Sequence, residues 1–421
     1  MCDTLFKRNK EQFIFGKNSD RSCNEPNLVL YIPKKKHTDK AVQTTYLSIP
    51  QVSQTNAMIL VKPSWTWGAE MGINEYGVCI GNEAVFTKSK DRKKNSLIGM
   101  DYVRLGLERA KTSKEAVDVI CQLLEKFGQG GNCGFDKAFY YDNSYIIGDD
   151  NHAYILETVG RKWLVEEIEQ GGNISNRLRI KEGCFFSHEK SLLHYKEPVF
   201  TFFSKAKKRE EQAEEQIKSD LIGVKQMMAI LQSHTVDFNT LVNKGSVSSL
   251  CMHQSLLGDH TTGSMIVVGR RVLPKTIWLA AGSTPCLSLY LPYFFKVAPL
   301  IIPDDPKSAL EDWLNHEYLV RSVMVGLINK KEYEEQIRTL QQSWIKQEQE
   351  IIEKNPDKEE LYAFSKQCKE EVNKITEKYR FEIEQFKSGN WQKPALWKKK
   401  SALLGINVME KDYRIRYRKR L

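Results

Sequence analysis

The residue with the most distinctive chemistry is Cys2, which directly follows the initiator methionine. Cysteine is small enough to permit removal of that methionine, and Cys2 would then carry a thiol and a free α-amine on one residue. Unperturbed, the amine titrates near pKa ~7.7–8.0 and the thiol near ~8.5, so at neutral pH the amine can act as general base for its own nucleophile. Such a residue is a self-contained acyl-transfer catalyst. A cysteine in second position can also occur by chance. The surrounding sequence is therefore needed to distinguish a catalytic Cys2 from an incidental one.

Two other groups of residues suggest metal chemistry at first sight. Cys251 lies two residues before His253, and Asp259 immediately precedes His260. Neither spacing matches an established zinc pattern, so the sequence predicts no metal site and no cofactor, and we expect His253 to line the core or a substrate pocket. The sequence also lacks the phosphate-binding GxxxxGK and GxGxxG motifs and the HExxH metalloprotease motif.

The nine cysteines are odd in number and scattered, with no CxxC pair. This usage argues against a disulfide framework and favours a reducing compartment. The N-terminus is too polar for a signal peptide, and the longest apolar stretch, 287–302, is interrupted by two prolines and a lysine. We therefore expect a cytoplasmic protein.

The elements that position Cys2 begin with short strands separated by turns. Helical periodicity replaces the strand pattern from residue 97, and Thr112 and Glu115 have the spacing of a capping box at the start of a second amphipathic helix. A charged stretch at 205–218 is expected to form an exposed helix or loop. The predicted strands are 12–15, 28–32, 57–61, 78–82, 138–141, 144–147, 153–157, 162–166, 264–268 and 276–281.

The C-terminal part of the chain differs in character. Apolar residues on a seven-residue repeat before and after Pro356 predict an antiparallel helical hairpin, whose apolar seam we expect to pack on the main domain. Residues 391–421 carry ten Lys and Arg residues against two acidic ones, which accounts for +8 of the net charge of +10. The body of the chain is nearly neutral, and its basicity is concentrated in this tail.

Several sequence blocks resemble the secernins, a branch of the cysteine dipeptidase-like N-terminal-nucleophile hydrolases. The blocks keep the order of that family and cover roughly the first 300 residues. They are MCDTL at the start, GKNSDR at 16–21, WTWGAEMGINEYGVCIGNEAVFTK at 65–88, GMDYVRLGLERAKTSKEAV at 99–117, LLEKFGQGG at 123–131, YILETVGRKW at 154–163, ISNRL at 174–178, SLCMH at 249–253 and TTGSM at 261–265.

The resemblance implies an α+β fold, the αββα four-layer sandwich of N-terminal-nucleophile hydrolases, with a C-terminal helical extension. It implies a hydrolase-like domain at 1–305. The charged helical hairpin at 306–390 and the basic tail at 391–421, which are predicted from the heptad pattern and the charge, are not part of the family's core signature. Cys2 matches the nucleophile of the family. Asp20 matches the acidic residue that orients the new α-amine, and Arg21 holds either a substrate carboxylate or the Asp20 side chain.

Asn82 and Asn176 match the two amide residues that line the oxyanion site of the superfamily. A preorganised donor of this kind is typically worth ~2.7–4 kcal/mol. Trp67, Glu83 and His253 are the remaining candidates for substrate binding. Glu70 and Glu83 either assist the chemistry or pair with Arg21, and the sequence leaves this choice open.

Two functions follow as hypotheses. The first is a cysteine amidohydrolase or dipeptidase that acts on a small peptide or another N-acyl substrate. The second is a catalytically silent binding or scaffold protein on the same fold, related to exocytosis, to which secernins are linked, or to the cytoskeleton. In the second, the tail 391–421 docks on an acidic protein or on anionic membrane at ~1 kcal/mol per basic residue; nucleic acid is a weaker candidate, because the sequence reveals no basic face on the body. The sequence leaves the oligomeric state undetermined.

Overall fold

The computed structural model describes residues 1–385 apart from 188, 219–222, 255–258 and 281. The predicted basic tail, 391–421, lies outside the described residues, as do 386–390 at the end of the predicted hairpin. The described strands, in chain order, are β1 (Cys2–Arg8), β2 (Gln12–Arg21), β3 (Asn27–Ile32), β4 (Lys35–Lys36), β5 (Ala41–Gln43), β6 (Ser48–Pro50), β7 (Gln54–Thr55), β8 (Met58–Pro63), β9 (Met71–Asn74), β10 (Cys79–Val85), β11 (Asp142–Gly148), β12 (Ala153–Val159), β13 (Lys162–Glu167), β14 (Gly171–Ile174), β15 (Phe185–Phe186), β16 (His260–Arg270), β17 (Thr276–Ala280) and β18 (Tyr290–Phe294).

The described helices lie between and after these strands. None of them combines the length and the apolar composition that crossing a membrane requires. In chain order they are α1 (Gly99–Arg109), α2 (Ser113–Phe127), α3 (Pro198–Phe203), α4 (Ala206–Ile217), α5 (Val224–Leu231), α6 (Phe238–Lys244), α7 (Pro306–Met324), α8 (Lys330–Glu353) and α9 (Lys358–Gln385).

Two antiparallel sheets form the centre of the molecule. The first has six strands in the order β14, β1, β2, β16, β17 and β18, and the second has eight in the order β15, β13, β12, β11, β10, β9, β8 and β3. The sheets face each other, because β1 packs against β10 and β11 of the second sheet. At Gly81, on β10, an added Cβ would lie 2.5 Å from Cδ of Lys17 and 3.0 Å from the ring of Phe15 on β2, so glycine permits this close approach.

Helices cover the outer faces of both sheets. α1 and α2 pack on the eight-stranded sheet, and α4 and α5 pack on the six-stranded sheet. α2 begins where its capping box predicts, since Thr112 accepts a hydrogen bond from the Glu115 backbone N–H at 3.1 Å, while the Glu115 carboxylate caps the Lys111 N–H instead of that of Thr112. The order helix, sheet, sheet, helix confirms the predicted αββα sandwich and its α+β class.

The last three helices pack at strands on the edges of the two sheets. α7 lies against β3 and α9 lies against β18. α8 and α9 are joined by a short turn that contains Pro356, and Trp344, Tyr379 and Cys368 are buried along them. The division of the chain at 305 and 390 stays a prediction.

The expectation of an exposed helix or loop at 205–218 holds only in part. The segment forms a helix with an exposed charged face, but α4 buries Ala206, Arg209, Ala213 and Ile217 against the six-stranded sheet. The buried residues recur every three or four positions, so they occupy one helical face. Arg209 is fully buried on this face, where its guanidinium pairs with the carboxylate of Asp3 on β1.

Candidate active site

Alternation along β1 determines where its polar side chains point. Successive side chains of a strand point to opposite faces, so Cys2 and Thr4 share one face and Asp3 occupies the other. Thr4 donates a hydrogen bond to Glu83 of the facing sheet, and Asp3 pairs with Arg209 of the outer helix α4. The Cys2 side chain therefore points into the space between the two sheets, and Asp3 points toward the outer helical layer.

Cys2 is 4% exposed, and both its nitrogen and its sulfur have polar neighbours. Its backbone N–H donates to Oδ1 of Asn176 at 3.1 Å. The Asp20 backbone N–H donates to Sγ at 3.3 Å, and Oε2 of Glu70 lies 3.6 Å from Sγ on another side. An amide donor can stabilise a thiolate, and a carboxylate can accept the thiol proton, so the site offers a partner for each protonation state.

Arg21 lies beside this carboxylate and is almost fully buried. Its NH1 donates to Oε1 of Glu70 at 2.9 Å, and its NH2 donates to Oε1 of Glu25 at 2.5 Å. Of Glu70 and Glu83, Glu70 is thus the one that pairs with Arg21. Because it also contacts Sγ of Cys2, the choice between pairing and assistance stays open for Glu70. The guanidinium does not hold the Asp20 side chain, contrary to one of the two roles expected for it. Its Nε is buried and has no hydrogen-bond partner among the described residues, so one donor of Arg21 is unused there.

Glu83 pairs with a different cation. Nζ of Lys17 lies 3.2 Å from Oε1 of Glu83, and both side chains are fully buried between the sheets. Burial raises the pKa of Glu83 to about 7, although Lys17 opposes the shift. Glu83 therefore faces Thr4 and Lys17 rather than an open pocket, which gives no support to its predicted role in substrate binding.

The environment of the Cys2 thiol strongly favours its neutral form. Burial raises the pKa of the thiol well above its usual value, the Lys17 ammonium lowers it, and Glu70 and Glu83 add to the increase. A thiol in this state needs a nearby base before it can act as a nucleophile. With Met1 in place, Glu70 is the base within contact distance of Sγ.

Met1 occupies the end of β1 beside Asp20. Its α-amine donates to the Asp20 backbone oxygen at 2.8 Å and contacts Oδ2 of Asp259 at 2.5 Å. Burial alone would lower the pKa of this amine, but Asp259, Cys2 and Asp20 raise it to about 10. Oδ1 of Asp20 accepts a hydrogen bond from Thr261 at 2.6 Å, whereas Oδ2 is buried and has no partner in the described part of the chain. The role predicted for Asp20, orienting the α-amine of Cys2, stays a prediction.

Asn176 follows β14 and is oriented by three groups. Its Nδ2 donates to the backbone oxygen of Ala84 at 2.9 Å, and its Oδ1 accepts from Arg209 at 2.6 Å as well as from Cys2. The predicted role was to donate its amide N–H to an oxyanion. The structure instead turns the carbonyl oxygen toward the nitrogen of Cys2, so Asn176 is placed to position the amine.

The side chain of Asn82 points away from the space that Cys2 enters. Because alternate residues of β10 face opposite ways, Gly81 and Glu83 face the first sheet and Asn82 faces α1. Its Nδ2 donates to Oδ1 of Asn143 at 3.1 Å and lies 4.0 Å from the sulfur of Met100. The structure therefore does not bring the Asn82 amide to Cys2, and its predicted oxyanion role lacks support.

Trp67 and His253 also lie away from the contacts of Cys2. The guanidinium of Arg104, on α1, stacks over the Trp67 ring at 4.2 Å, and Trp67 packs in the layer between α1, α2 and the sheet. The tryptophan that reaches the site is Trp65, whose Nε1 donates to Oε1 of Glu25 at 2.8 Å. His253 is fully buried beside two cysteine sulfurs.

Lys17 and Arg209 were missed by the sequence analysis. Both are long cations that are fully buried beside carboxylates of the site. Lys17 could have been found by alternation along β2, because positions 15, 17, 19 and 21 share the face that carries Phe15 and Arg21. Arg209 could have been found from the spacing of Ala206, Ala213 and Ile217, which marks the buried face of α4.

Comparisons with known proteins give similarity to solved structures at low identity. No protein-family profile matches the chain. A mutant conjugated bile acid hydrolase from Clostridium perfringens has a TM-score of 0.40 and 14% identity, over 66% of this chain and 88% of that chain. A Caenorhabditis elegans ortholog of N-acylethanolamine-hydrolyzing acid amidase has a TM-score of 0.35 and 11% identity, over 63% and 92% of the two chains. Penicillin V acylase from Agrobacterium tumefaciens has a TM-score of 0.34 and 11% identity, over 66% and 82%.

Proposed function

We propose that this protein is a cysteine amidohydrolase in which removal of Met1 makes Cys2 the N-terminal nucleophile. The observation that carries the proposal is the pair of contacts at Cys2: its nitrogen bonds Oδ1 of Asn176 at 3.1 Å, and its sulfur accepts from the Asp20 N–H at 3.3 Å. Once the peptide bond to Met1 is hydrolysed, the same nitrogen is an amine that Asn176 already orients, beside a sulfur that already has a donor.

The reaction then runs as two acyl transfers. The α-amine of Cys2 takes the thiol proton, Sγ attacks the substrate carbonyl and forms the C–S bond, and the proton passes to the leaving amine as the C–N bond breaks. After the leaving amine departs, the α-amine of Cys2 removes a proton from water and the resulting hydroxide attacks the thioester. The proton then passes from the α-amine to Sγ as the C–S bond breaks. The bonds and protons balance without a cofactor.

Arg21 supplies the donor that this scheme needs for the oxyanion. A buried guanidinium N–H without a partner is costly unless a ligand or water bonds it, and within the described part of the chain Nε of Arg21 is such a group. Its other two nitrogens are fixed by Glu70 and Glu25, so Nε is held in one orientation. A fixed donor of this kind stabilises a developing O⁻ without needing to reorganise during the reaction.

The resemblance of the N-terminal blocks to secernins supports the finer assignment to a dipeptidase-like enzyme with a small peptide or N-acyl substrate. MCDTL, GKNSDR and ISNRL supply the residues that surround the nitrogen and sulfur of Cys2.

Intact-mass analysis combined with acyl capture tests the proposal. We expect the chain to lose one methionine residue and then to form a thioester at Cys2 with members of a panel of dipeptides and acyl amides, together with amide turnover. The matched control carries an uncleaved N-terminal tag that keeps Cys2 inside a peptide bond, and it should form neither. A mature chain with a free Cys2 amine that shows no capture and no turnover across the panel would contradict the proposal.

A binding role for the tail stands as the alternative proposal. Residues 391–421 hold most of the net charge, and that segment fits an acidic protein surface or an anionic membrane better than nucleic acid. Deletion of 391–421 should abolish salt-sensitive binding of the full chain to vesicles that contain phosphatidylserine or to an acidic protein column. Binding that is unchanged by the deletion would exclude the tail as the docking segment.

A further inference from the structure

Two cysteines and two histidines meet outside the proposed active site. His234 follows α5, Cys251 and His253 precede β16, and Cys286 lies in the turn before β18. One ligand atom from each of the four residues lies within 4.8 Å of all the others. Nε2 of His253 is 3.7 Å from Sγ of Cys251 and 3.4 Å from Sγ of Cys286. Three separate segments of the chain thus converge on one point.

The distances match those between the ligands of a tetrahedral zinc ion. With Zn–S bonds of about 2.3 Å and Zn–N bonds of about 2.0–2.1 Å, adjacent sulfur and nitrogen ligands lie about 3.6 Å apart. The two sulfur-to-nitrogen distances, 3.4 and 3.7 Å, lie on either side of this value. Two thiols and two imidazoles are also the donor types that zinc prefers in closed structural sites.

The hydrogen bonding of the cluster is incomplete. Among the described residues, Nε2 of His234 and Nδ1 of His253 are buried without a hydrogen-bond partner. Buried polar atoms are nearly always satisfied, and an unsatisfied one calls for an explanation such as an ion. His234 and His253 pack edge to face with their ring centroids 5.2 Å apart, which brings both imidazoles to the two sulfurs.

This cluster could not be predicted from sequence spacing, because its four residues are far apart along the chain. Only Cys251 and His253 are near each other, and their spacing alone matches no zinc motif. His234 and Cys286 join them through the return of the chain from α5 and through the turn after β17. The prediction of no metal site therefore rested on two of the four residues.

We propose that His234, Cys251, His253 and Cys286 form a structural zinc site. Both cysteines bind as thiolates and both histidines as neutral imidazoles, so binding releases the two thiol protons to solvent and two negative sulfurs balance the charge of the ion. All four ligands come from the protein, which is typical of a structural site and leaves no open position for substrate. Cys286 also lines a cavity of about 540 Å³ beside α5 and α8, which gives the ion a path from solvent.

The site would stabilise the segment that supports Asp20. Met252 lies between two of the ligands, and its N–H donates to Oγ1 of Thr261 at 2.8 Å. Thr261 in turn donates to Oδ1 of Asp20 at 2.6 Å. Zinc would thus hold the chain before β16 in the position from which it reaches the proposed active site, without contact with substrate.

Metal content and cobalt spectroscopy of the reduced full-length chain test the proposal. We expect one zinc per chain after purification and, once zinc is replaced, the visible d–d absorption and thiolate-to-cobalt charge transfer of tetrahedral Co²⁺. Cys251→Ser and His253→Gln should weaken zinc binding by more than about a hundredfold, since even changes outside the ligand set cost about ten- to a hundredfold. Cys184→Ser and His152→Gln, which change exposed residues away from the cluster, should leave binding unchanged.

The Co²⁺ absorption spectrum of the wild-type protein tests the metal site even if a ligand variant fails to fold. Reduced, chelator-stripped wild type that takes up no Co²⁺ and no Zn²⁺ would overturn the proposal, and so would a Cys251–Cys286 disulfide in protein purified with added zinc. A cobalt spectrum that persists in Cys251→Ser would overturn it as well. None of these readouts uses hydrolysis, so their failure is distinct from failure of the amidohydrolase proposal.

Discussion

Cys2→Ala is expected to lower kcat/KM for amide hydrolysis by at least about a thousandfold and to abolish acyl capture, because removing a nucleophile disables a catalytic group that acts as a unit. Alanine, like cysteine, permits loss of Met1, so the variant should still present a free α-amine beside Asn176. What it lacks is only Sγ, the atom to which Asp20 donates and which contacts Glu70. The measurements are the rate of hydrolysis of the dipeptides and acyl amides, and the intact mass of the protein after incubation with them.

Cys79→Ala is the matched control for this experiment. Cys79 is a second fully buried thiol, on β10 of the facing sheet, and it contacts the Gly77 carbonyl. Removing the Cys79 sulfur should lose about as much buried packing as removing the Cys2 sulfur, and it leaves the contacts of Cys2 intact. Both alanine variants should therefore unfold at similar temperatures. Equal turnover by wild type and Cys2→Ala, with Met1 removed from both, would show that the reaction does not use this sulfur.

The layers of the fold could be predicted because they depend on local periodicity and on the family blocks. The strands at 12–15, 28–32 and 57–61 lie inside β2, β3 and the region of β8, and Thr112 caps α2 as expected. These features need only alternation, helical spacing and a capping residue. Which strand pairs with which could not be read in this way, since β2 pairs with β16, more than two hundred residues away.

The sequence motifs predicted which residues lie near Cys2 better than they predicted the role of each residue. The motifs brought Cys2, Asp20 and Asn176 together, but the role of an amide depends on which of its atoms faces the nucleophile. That orientation is imposed by Arg209 and Ala84, which bond the two ends of the Asn176 amide. Such partners come from α4 and β10, and no spacing within the motif reveals them.

Charge composition does not reveal a charged residue that has a buried partner. Arg209 was expected on the surface because most arginines lie there, yet its guanidinium reaches Asp3, Asn176 and Ser175. The partner, Asp3, lies one residue from Cys2 and on the opposite face of β1. A cation in the outer helical layer thus helps to fix the strand that carries Cys2.

Arg209→Met is accordingly expected to destabilise the protein by about 3–5 kcal/mol, since removing one member of a buried ion pair leaves the other charge uncompensated. Nε of Arg209 lies 2.8 Å from Oδ2 of Asp3, and both side chains are buried. Burial raises the pKa of Asp3, and Arg209 is the largest opposing influence, so its loss raises that pKa further. Urea unfolding at several pH values measures the change.

The dependence on pH has a definite sign. An acid whose pKa is higher in the folded than in the unfolded state holds more protons when folded, so its contribution to stability falls as the pH rises. The deficit of Arg209→Met relative to wild type should therefore be larger at pH 8 than at pH 5. Adding Asp3→Asn removes the unpaired charge, and the double variant should regain stability and lose most of this extra pH dependence.

Lys208→Met provides the matched control, because it removes the same charge from an exposed neighbouring position of α4. It should change the free energy of unfolding by no more than about 0.5 kcal/mol. If Arg209→Met and the double variant lost equal stability at every pH, the loss would come from the carbonyl and Asn176 contacts of Arg209 and not from an unpaired Asp3. A pH-dependent deficit that Asp3→Asn removes would identify the buried carboxylate beside Cys2 as the group that requires Arg209.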